Sequence, residues 1–467
     1  MRPVGFEWLL GTLRVSPSPN VIIGGLVREI DEAICQNASL SKVLAMIEGA
    51  KVPIRNALSK HLKDRAAGTA IALKLLNLLL AKYHFQMRST ALVSRPFGML
   101  VDPANGCNLG CPGCVHSARA KSLHLFDWGS GMLPLEQFAA LLLRYGPYAM
   151  QIMFCNYGEP ILNPRTPELI AMAKGYLVQT ALSTNLALER FDAEAYVRSG
   201  LDFMFLAVDG ASQEVYSRYR KRGDIRVVYR NIENLVAAKR RLGRRAPILR
   251  WQYLAFEHNA GEIGAAQQMA RKLGVDQFAV EVPYDVSWDD PEIHPGKVEP
   301  LHVELNPDIG DVLARNLERV VDGHTADVIE REFAAAWTNI RVADAPNGAT
   351  AQHTCSWLYK SMTLDAGGRV LPCCGAPRLG GDLVFAKLGD GQEDEFNSER
   401  YLQARRVFAA RPAYDMIRAS GGPSAYCADC QWNQDHTEFG AGEVAQYLRT
   451  VSFGAMDVET IKTCGNW

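Results

Sequence analysis

The sequence has little that points to a membrane, an export pathway or nucleic acid. Its 467 residues carry 50 basic and 51 acidic side chains, so no charge excess indicates nucleic acid or acidic lipid. The most apolar run, 70–81, is shorter than the ~20 residues a bilayer span needs, and Lys74 and Asn77 interrupt it. No apolar core of a signal peptide follows the first residues. We therefore expect a cytoplasmic protein of two or three domains without a transmembrane segment.

The run at 70–81 has two readings. The first is a buried or domain-packing helix, which its helical spacing of leucines favours. The second is a dimer or membrane-surface helix.

The sequence also lacks the paired cysteines of a disulfide scaffold. It has 11 cysteines, an odd number, and most of them fall in clusters. Clustered cysteines without an export signal favour a reducing compartment and metal ligation.

From residue 97, strand-like and helix-like patterns alternate. Six such units in a row predict a parallel sheet covered by helices, and polar groups at the strand ends suggest a partial (β/α)6 TIM-like barrel. The predicted strands are 97–102, 149–154, 178–183, 203–208, 248–256 and 278–282. The predicted helices are 134–145, one from 166, 192–200, 227–243 and 261–274.

Three cysteines follow the first predicted strand in the stretch CNLGCPGC: Cys107, Cys111 and Cys114. A disulfide uses two thiols and a closed zinc site uses four ligands. Three thiolates on a cubane [4Fe–4S] cluster leave one iron without a protein ligand. The spacing therefore fits an iron–sulfur cluster with an open iron better than it fits tetrahedral zinc.

This spacing resembles the radical S-adenosylmethionine (radical SAM) superfamily, and further motifs fall in order behind it at strand ends. The motifs are Asn156-Tyr157-Gly158-Glu159-Pro160, Ser183-Thr184-Asn185 and Ala207-Val208-Asp209-Gly210, with Arg220 downstream. Two positions depart from the family pattern. Ala207 stands where family members often have Ser, and Gly113 stands where many members have an aromatic residue.

The resemblance implies a [4Fe–4S] cluster and bound SAM. Its Gly-Glu-Pro motif holds the SAM amino group, and the third strand contacts ribose or methionine. The implied SAM-binding residues are Tyr157, Gly158, Glu159, Pro160, Ser183, Asn185, Asp209 and Arg220. The implied reaction is reductive cleavage of SAM, by one electron, to methionine and a 5′-deoxyadenosyl radical that removes a substrate hydrogen atom. The electron would come from a donor such as flavodoxin or ferredoxin.

A second set of cysteines lies downstream and resembles the auxiliary-cluster region of the SPASM and Twitch subfamilies. Cys355, Cys373, Cys427 and Cys430 would supply four thiolates for one auxiliary [4Fe–4S] cluster, the shorter Twitch arrangement. Cys374 is an alternative to Cys373, and zinc is the alternative metal.

Four residues are candidates for the substrate chemistry. Cys155, before the Gly-Glu-Pro loop, is either a buried small side chain or a hydrogen-atom donor of an epimerase. Glu281, Tyr284 and Asp285 follow the sixth strand and are candidate substrate or base residues.

Three functions follow from these patterns. A single auxiliary cluster favours oxidation of a small polar metabolite such as a sugar or aminocyclitol. The alternatives are a peptide-modifying maturase and a metal-binding protein without chemistry.

The predicted domains are a helical region at 1–94, the core at 95–300, a linker with helices at 301–354, a Cys-rich domain at 355–435 and a tail at 436–467.

Overall fold

The fold is α/β and is built around one open sheet of ten strands. The computed structural model describes residues 65–122, 129–283, 293–309, 355–375, 383–390 and 394–409, together with Cys427 and scattered positions between 26 and 49. The strands are β1 Gly98–Val101, β2 Gln151–Phe154, β3 Gln179–Thr184, β4 Phe203–Ala207, β5 Ile248–Leu254, β6 Gln277–Glu281, β7 Leu301–Glu304, β8 Ser361–Leu364, β9 Arg369–Leu371 and β10 Ala386–Lys387.

The first six strands follow one another across the sheet, each parallel to the next. The helices that connect or flank them confirm the predicted alternation. They are α1 Arg65–Gln86, α2 Ala118–Ser122, α3 Leu135–Tyr145, α4 Thr166–Lys174, α5 Ala193–Arg198, α6 Gln213–Tyr219, α7 Ile225–Arg241 and α8 Ile263–Leu273, with α9 Trp357–Lys360 and α10 Glu399–Ala409 further on.

Local signals set the helix ends as expected from capping chemistry. The side chain of Ser212 accepts a hydrogen bond from Val215 N at the start of α6, and Asp192 does the same for Ala195 N at α5. Gly274 takes the left-handed conformation that ends α8. Helices α2 and α6 are only five and seven residues long, too short for the periodicity from which the other core helices were predicted.

Barrel closure does not occur, because both outer strands of the six are paired with another strand. Strand β8 lies parallel to β1, and β7 lies antiparallel to β6. These partners satisfy the edge hydrogen-bonding groups that closure would otherwise have to satisfy. Strand β7 occupies the start of the segment predicted as a linker with helices. Its mostly exposed LHVE sequence gave no strand signal.

The described part of the predicted Cys-rich domain continues the core sheet. Strand β9 pairs antiparallel with β8, and β10 pairs antiparallel with β9. Because β9 is antiparallel to β8 and β8 is parallel to β1, the chain enters β9 at the carboxyl ends of the core strands and leaves it toward their amino ends.

Helix α1 contains the apolar run and packs into the core. Leu73, Leu76, Leu80 and Ala81 are at most 2% exposed. Lys74 is fully buried on this helix and its Nζ donates to the carbonyl oxygens of Gly146, at 3.0 Å, and Ala149. Among the described residues, no helix is both long and apolar enough to cross a membrane.

Parallel strands place their carboxyl ends at one edge of the sheet, where sites of such folds lie. The residues that follow or end the strands at this edge are Asp102, Cys155, Asn185, Asp209 and Glu281. The candidate site is built from this edge.

Candidate active site

The three-cysteine loop follows β1 and is folded into tight turns. Cys114 N donates to Cys111 O at 3.2 Å, and Ser117 N donates to Cys114 O at 2.9 Å. Gly113 lies between the second and third cysteines with φ of 75°, a conformation that L side chains rarely adopt. The glycine that departs from the aromatic family pattern is therefore the residue this turn requires.

Two of the three sulfur atoms accept hydrogen bonds from different parts of the fold. Cys107 Sγ accepts from Leu109 N at 3.4 Å and from Asn185 Nδ2, beyond β3, at 3.7 Å. Cys111 Sγ accepts from Arg220 Nη1 at 3.8 Å. Donors aimed at sulfur stabilise thiolates and adjust the electronics of a metal centre that the thiolates hold.

An apolar layer lies under the same sulfur atoms. Cys111 packs in a buried cluster with Leu109, Tyr219, Phe256 and Ile293, and Cys107 and Cys114 pack against that cluster. Burial raises the pKa of the Cys107 thiol to about 12, helped by Glu159 nearby, and that of Cys111 to about 11 despite Arg220. The thiols are thus protonated without metal, so metal binding must release protons.

The Gly-Glu-Pro loop crosses closely over the loop that follows β1. A Cβ on Gly158 would lie 1.5 Å from Ala104 O, so only glycine fits. Glu159 N donates to Gly106 O at 2.8 Å, next to Cys107. The two loops are therefore held together by main-chain contact.

Asp102 is a residue of this site that the sequence analysis did not single out. It is 1% exposed, and its carboxyl oxygens accept hydrogen bonds from Tyr157 N and Gly158 N at 3.1–3.2 Å. Burial raises its pKa to about 7. The sequence feature that could have identified Asp102 as a site residue is its position between the first strand and the cysteine loop.

Glu159 faces β3 and not the solvent. Its carboxyl oxygens accept from Thr184 Oγ1 at 2.5 Å, Asn185 N at 2.8 Å and Ile161 N at 3.4 Å. Burial raises its pKa to about 7. Thr184, which was not among the predicted binding residues, is therefore the hydroxyl that anchors this motif, whereas Ser183 is half-buried on the other strand face.

The end of β4 is joined to the cysteine loop by an ion pair. Arg220 Nε donates to Asp209 Oδ2 at 2.5 Å, and Asp209 Oδ1 accepts from Leu254 N at 2.7 Å. Burial alone would lower the pKa of Arg220, but Asp209 beside it raises that pKa well above its usual value. The guanidinium is thus a fixed cation that touches both the carboxylate and Cys111.

The backbone after Arg220 reinforces this link. Gly110 N donates to Lys221 O at 3.3 Å, and Arg222 Nη2 donates to Leu109 O. Arg222 has φ of 72°, which is unusual for a non-glycine residue. The segment 220–222 therefore lies directly against the loop that carries Cys107 and Cys111.

The substrate candidates are only partly described. Glu281 is exposed at the end of β6, and its carboxylate accepts from Gln252 Nε2 at 2.7 Å. Cys155 is half-buried after β2, and burial raises the pKa of its thiol, with Asp102, Glu159 and Cys374 nearby. Tyr284 and Asp285 lie outside the described residues.

Three of the four predicted auxiliary ligands share one neighbour. The thiols of Cys373, Cys427 and Cys355 lie near the Tyr401 hydroxyl, whose pKa is raised by burial and by these thiols, and Cys430 lies outside the described residues. Tyr157 donates from its hydroxyl to Cys374 O, and the Cys374 thiol lies near Cys155. Cys373 and Cys374 thus face different regions.

Across the described residues, no group of three or more His, Cys, Asp or Glu side chains is placed to hold a single metal ion. A cubane spreads its thiolates over different irons, so its ligands need not converge on one point. The donor chemistry fits: thiols are the ligands, and N–H groups point at two of the sulfurs.

The sequence model of the Radical SAM superfamily matches residues 101–246, which contain the cysteine loop, Glu159 and Arg220. This match supports the resemblance to that superfamily. Its span ends before β5, so it does not reach the second set of cysteines.

The curated relatives are similar over part of the chain. A GTP 3′,8-cyclase of Chlorobaculum tepidum is 28% identical over 148 residues, 30% of this chain, and the match spans less than half, 43%, of the relative. A Methanococcus maripaludis protein named "Probable GTP 3′,8-cyclase" is 23% identical over 52% of this chain and 77% of its own length. Among solved structures, Streptococcus suis SuiB bound to S-adenosylmethionine gives a TM-score of 0.41 at 16% identity, over 81% of this chain and 80% of that one.

Proposed function

We propose that the chain is a radical SAM enzyme. The observation that carries this proposal is Arg220, which pairs with buried Asp209 and also donates to Cys111 Sγ. When bound, a reduced [4Fe–4S] cluster at Cys107, Cys111 and Cys114 would supply the electron that cleaves SAM to a hydrogen-abstracting radical. The apolar layer of Leu109 and Phe256 would exclude water from one side of the site.

We propose that SAM binds across the ends of β2 and β3. Because the Glu159 carboxyl group is occupied by Thr184 and Asn185, the Gly-Glu-Pro loop would contact the SAM amino group through main-chain carbonyls. Tyr157 precedes Gly158 in that loop, and Pro160 is its last residue. The Asn185 side chain is engaged with the cysteine loop, which leaves Ser183 as the polar group for ribose or methionine.

The second thiolate centre would be closed by protein ligands. Cys355, Cys373 and Cys427 lie around Tyr401, and Cys430 would be the fourth ligand of an auxiliary [4Fe–4S] cluster. A closed cluster accepts an electron well, which favours oxidation of the substrate. Zinc in the same place would instead be structural.

We propose oxidation of a small polar metabolite such as a sugar or aminocyclitol as the reaction. A carboxylate at the mouth of the sheet suits removal of a proton as the substrate loses its electron. Glu281 is exposed at that mouth, and Tyr284 and Asp285 follow it in sequence.

The first test is anaerobic reconstitution followed by iron and sulfide analysis and an assay for 5′-deoxyadenosine. The Cys107/Cys111/Cys114→Ala variant is the matched control. We expect about eight irons in the parent and about four in the variant, with SAM cleavage only in the parent. An iron-loaded parent that does not cleave SAM under strong chemical reductant would disprove the proposal.

The names of the curated relatives favour a second candidate, cyclisation of a purine nucleotide. Substrate usually accelerates SAM cleavage by orienting the reacting groups. The test is therefore whether GTP, and not a sugar or aminocyclitol, raises 5′-deoxyadenosine formation. Acceleration by a short cysteine-containing peptide would favour the maturase alternative.

The epimerase alternative depends on Cys155. A hydrogen-atom donor must be a neutral thiol, and burial keeps the pKa of Cys155 high enough for that. A Cys155→Ala variant that retains full product turnover would remove this alternative. Loss of product with unchanged SAM cleavage would support it.

We propose that the electron donor docks beside the cysteine loop. Arg218, Lys221 and Arg222 are exposed there, and Lys221 O is bonded to Gly110 N, one residue from Cys111. Clustered cations steer an acidic carrier such as flavodoxin or ferredoxin to this surface. Electron-transfer encounters of this kind need only a small interface.

Charge reversal tests this surface. Arg218→Glu/Lys221→Glu should lower flavodoxin-driven SAM cleavage by about tenfold and leave dithionite-driven cleavage unchanged. Arg244→Glu/Arg245→Glu is the matched control, because these exposed residues follow α7 at the opposite edge of the sheet. Equal losses in both variants would contradict the docking surface.

A further inference from the structure

Arg405, on α10, is a buried cation beside the second set of cysteines. Its side chain is 0% exposed. Its guanidinium donates to Leu358 O at 2.9 Å, Phe396 O at 2.7 Å, Asn397 Oδ1 at 2.9 Å and Thr90 O at 3.2 Å. All four acceptors are neutral.

Aromatic rings complete its surroundings. The guanidinium carbon lies 4.7 Å from the centre of the Phe396 ring, 5.1 Å from Tyr401 and 5.9 Å from Tyr359. Such rings attract a cation but do not neutralise it. Burial lowers the pKa of Arg405 only to about 10, so it is charged at neutral pH.

No carboxylate among the described residues forms an ion pair with Arg405. The nearby Asp394 is paired with Arg95 and also accepts from Asn397 Nδ2 at 2.6 Å. His84 on α1 is also nearby, and burial together with Arg405 lowers its pKa to about 3, so it stays neutral. Asp394 is close enough to raise the pKa of Arg405, although its printed hydrogen bonds go to Arg95 and Asn397. Burying a cation among neutral acceptors is costly, and a further negative group close by would offset this cost.

Helix α10 connects Arg405 to the two chain segments that carry the cysteines. Arg405 binds Leu358 O in α9, which begins two residues after Cys355. Tyr401, one turn earlier on α10, donates to Leu371 O at 3.1 Å, two residues before Cys373. The thiols around Tyr401 are therefore next to the ring that packs on the guanidinium.

We propose that Arg405 is the buried counter-cation of a thiolate metal centre that includes Cys355, Cys373 and Cys427. The inference rests on the second centre of the proposed function. Three thiolates already carry more negative charge than either a zinc ion or an oxidised cubane core carries positive charge, so the loaded centre is an anion. Arg405 is then a positioning residue that balances this charge through Tyr401.

The test compares Arg405→Gln with the parent in the full reconstituted chain. Glutamine keeps amide donors for the carbonyls but removes the charge. We expect a lower midpoint potential for the second cluster, because the cation favours the more negative, reduced form. The Cys107/Cys111/Cys114→Ala variant assigns which electron paramagnetic resonance signal belongs to that cluster. If the centre holds zinc, the expected result is faster zinc loss to a chelator.

Two further variants keep the inference falsifiable. Arg405→Lys keeps the charge and should leave the potential near that of the parent, even if stability falls. Lys74→Met removes another fully buried basic side chain, one held by Gly146 O and Ala149 O, whose pKa burial lowers well below its usual value, and should leave the potential unchanged. If Arg405→Gln does not fold, Arg405→Lys provides the test. Because lysine keeps the charge, a fall in the midpoint potential as large as that expected from losing the whole charge overturns the idea.

The remaining outcomes separate the inference from the proposed function. If Arg405→Gln lowers the melting temperatures of metal-loaded and metal-stripped protein equally, with the potential unchanged, Arg405 is only structural. If the parent binds no metal at the second site but still forms 5′-deoxyadenosine, the inference fails and the radical SAM assignment stands.

Discussion

The two sets of cysteines lie in opposite kinds of environment. The first set, after β1, has the apolar layer on one side and polar or charged groups that follow neighbouring strands on the other: Asn185, Asp209 and Arg220. The second set lies near Tyr401 and Arg405, where the cation is enclosed by rings and carbonyls. Under the proposed function the first site would take up a charged, polar cofactor and needs polar contacts at a sheet edge, whereas the proposed second centre would be closed by protein ligands.

The two regions also differ in the negative group that balances their buried arginine. In the first region the cation, Arg220, already has its carboxylate in the fold. In the second region Arg405 has no ion pair with a carboxylate among the residues described, and under the proposal the metal centre would supply the balancing negative charge.

The largest effect is expected when a ligand of the second set is removed. Cys373→Ala should lose the metal of that centre completely, because Cys373 lies with Cys355 and Cys427 near Tyr401. Cys374→Ala, at the next residue, should keep it, because Cys374 faces Tyr157 and Cys155. Metal analysis after reconstitution measures both, and the reverse pattern would make Cys374 the ligand.

The first region should depend strongly on Arg220. Arg220→Met leaves Asp209 buried and unpaired, which costs about 3–5 kcal/mol in the free energy of unfolding. Urea denaturation of the metal-free chain measures this loss. Adding Asp209→Asn to the Arg220→Met chain should recover part of the loss. As a control, Arg230→Met removes the exposed ion pair of Arg230 with Glu189 and should change the free energy of unfolding by less than about 1 kcal/mol. An Arg220→Met chain as stable as the parent would contradict the charge assignment.

Gly158 tests how closely the loops of the first region approach each other. In Gly158→Ala the new Cβ meets Ala104 O, so the backbone must shift, at a cost of about 1–3 kcal/mol. SAM affinity, measured by calorimetry on the reconstituted protein, should fall with it. Gly261→Ala is the control, because no atom lies within 4 Å of its Cβ position.

The smallest effect is a pH dependence. The pKa of Asp102 rises from 3.8 to about 7 on folding, so the folded state binds more protons between those values. Stability of the metal-free protein should therefore fall as pH rises from about 4 to about 7. In Asp102→Asn this slope should be shallower, with a remainder from Glu159, whose pKa burial also raises to about 7. Denaturation at several pH values measures the slope, and an unchanged slope would exclude Asp102 as its source.

Much of the core was predictable because strands and helices there have clear periodicity. The six core strands begin and end within three residues of the predicted bounds. The helices 135–145 and 225–241 also begin and end within three residues of their predicted bounds. The edge strands β7 and β10 were not predicted, because an exposed four-residue strand and a two-residue strand have no periodic pattern.

The candidate site divides in the same way. Cysteine spacing and the order of the motifs gave Cys107, Cys111, Cys114, Glu159 and Arg220, since those signals are local in sequence. The roles of Asp102 and Thr184 needed the structure, because their partners lie 55 and 25 residues away. The ligand set with Cys430, and the roles of Tyr284 and Asp285, stay predictions.

The sequence by itself determined which strands are parallel and which thiols are candidate ligands, because hydrophobic periodicity and cysteine spacing are written along the chain. The structure was needed to show that β8 joins β1, that Cys373 and Cys374 have different neighbours, and that Arg405 is buried with no ion-pair partner among the described residues. These facts depend on contacts between segments hundreds of residues apart, such as Arg405 and Thr90, and no local pattern specifies them.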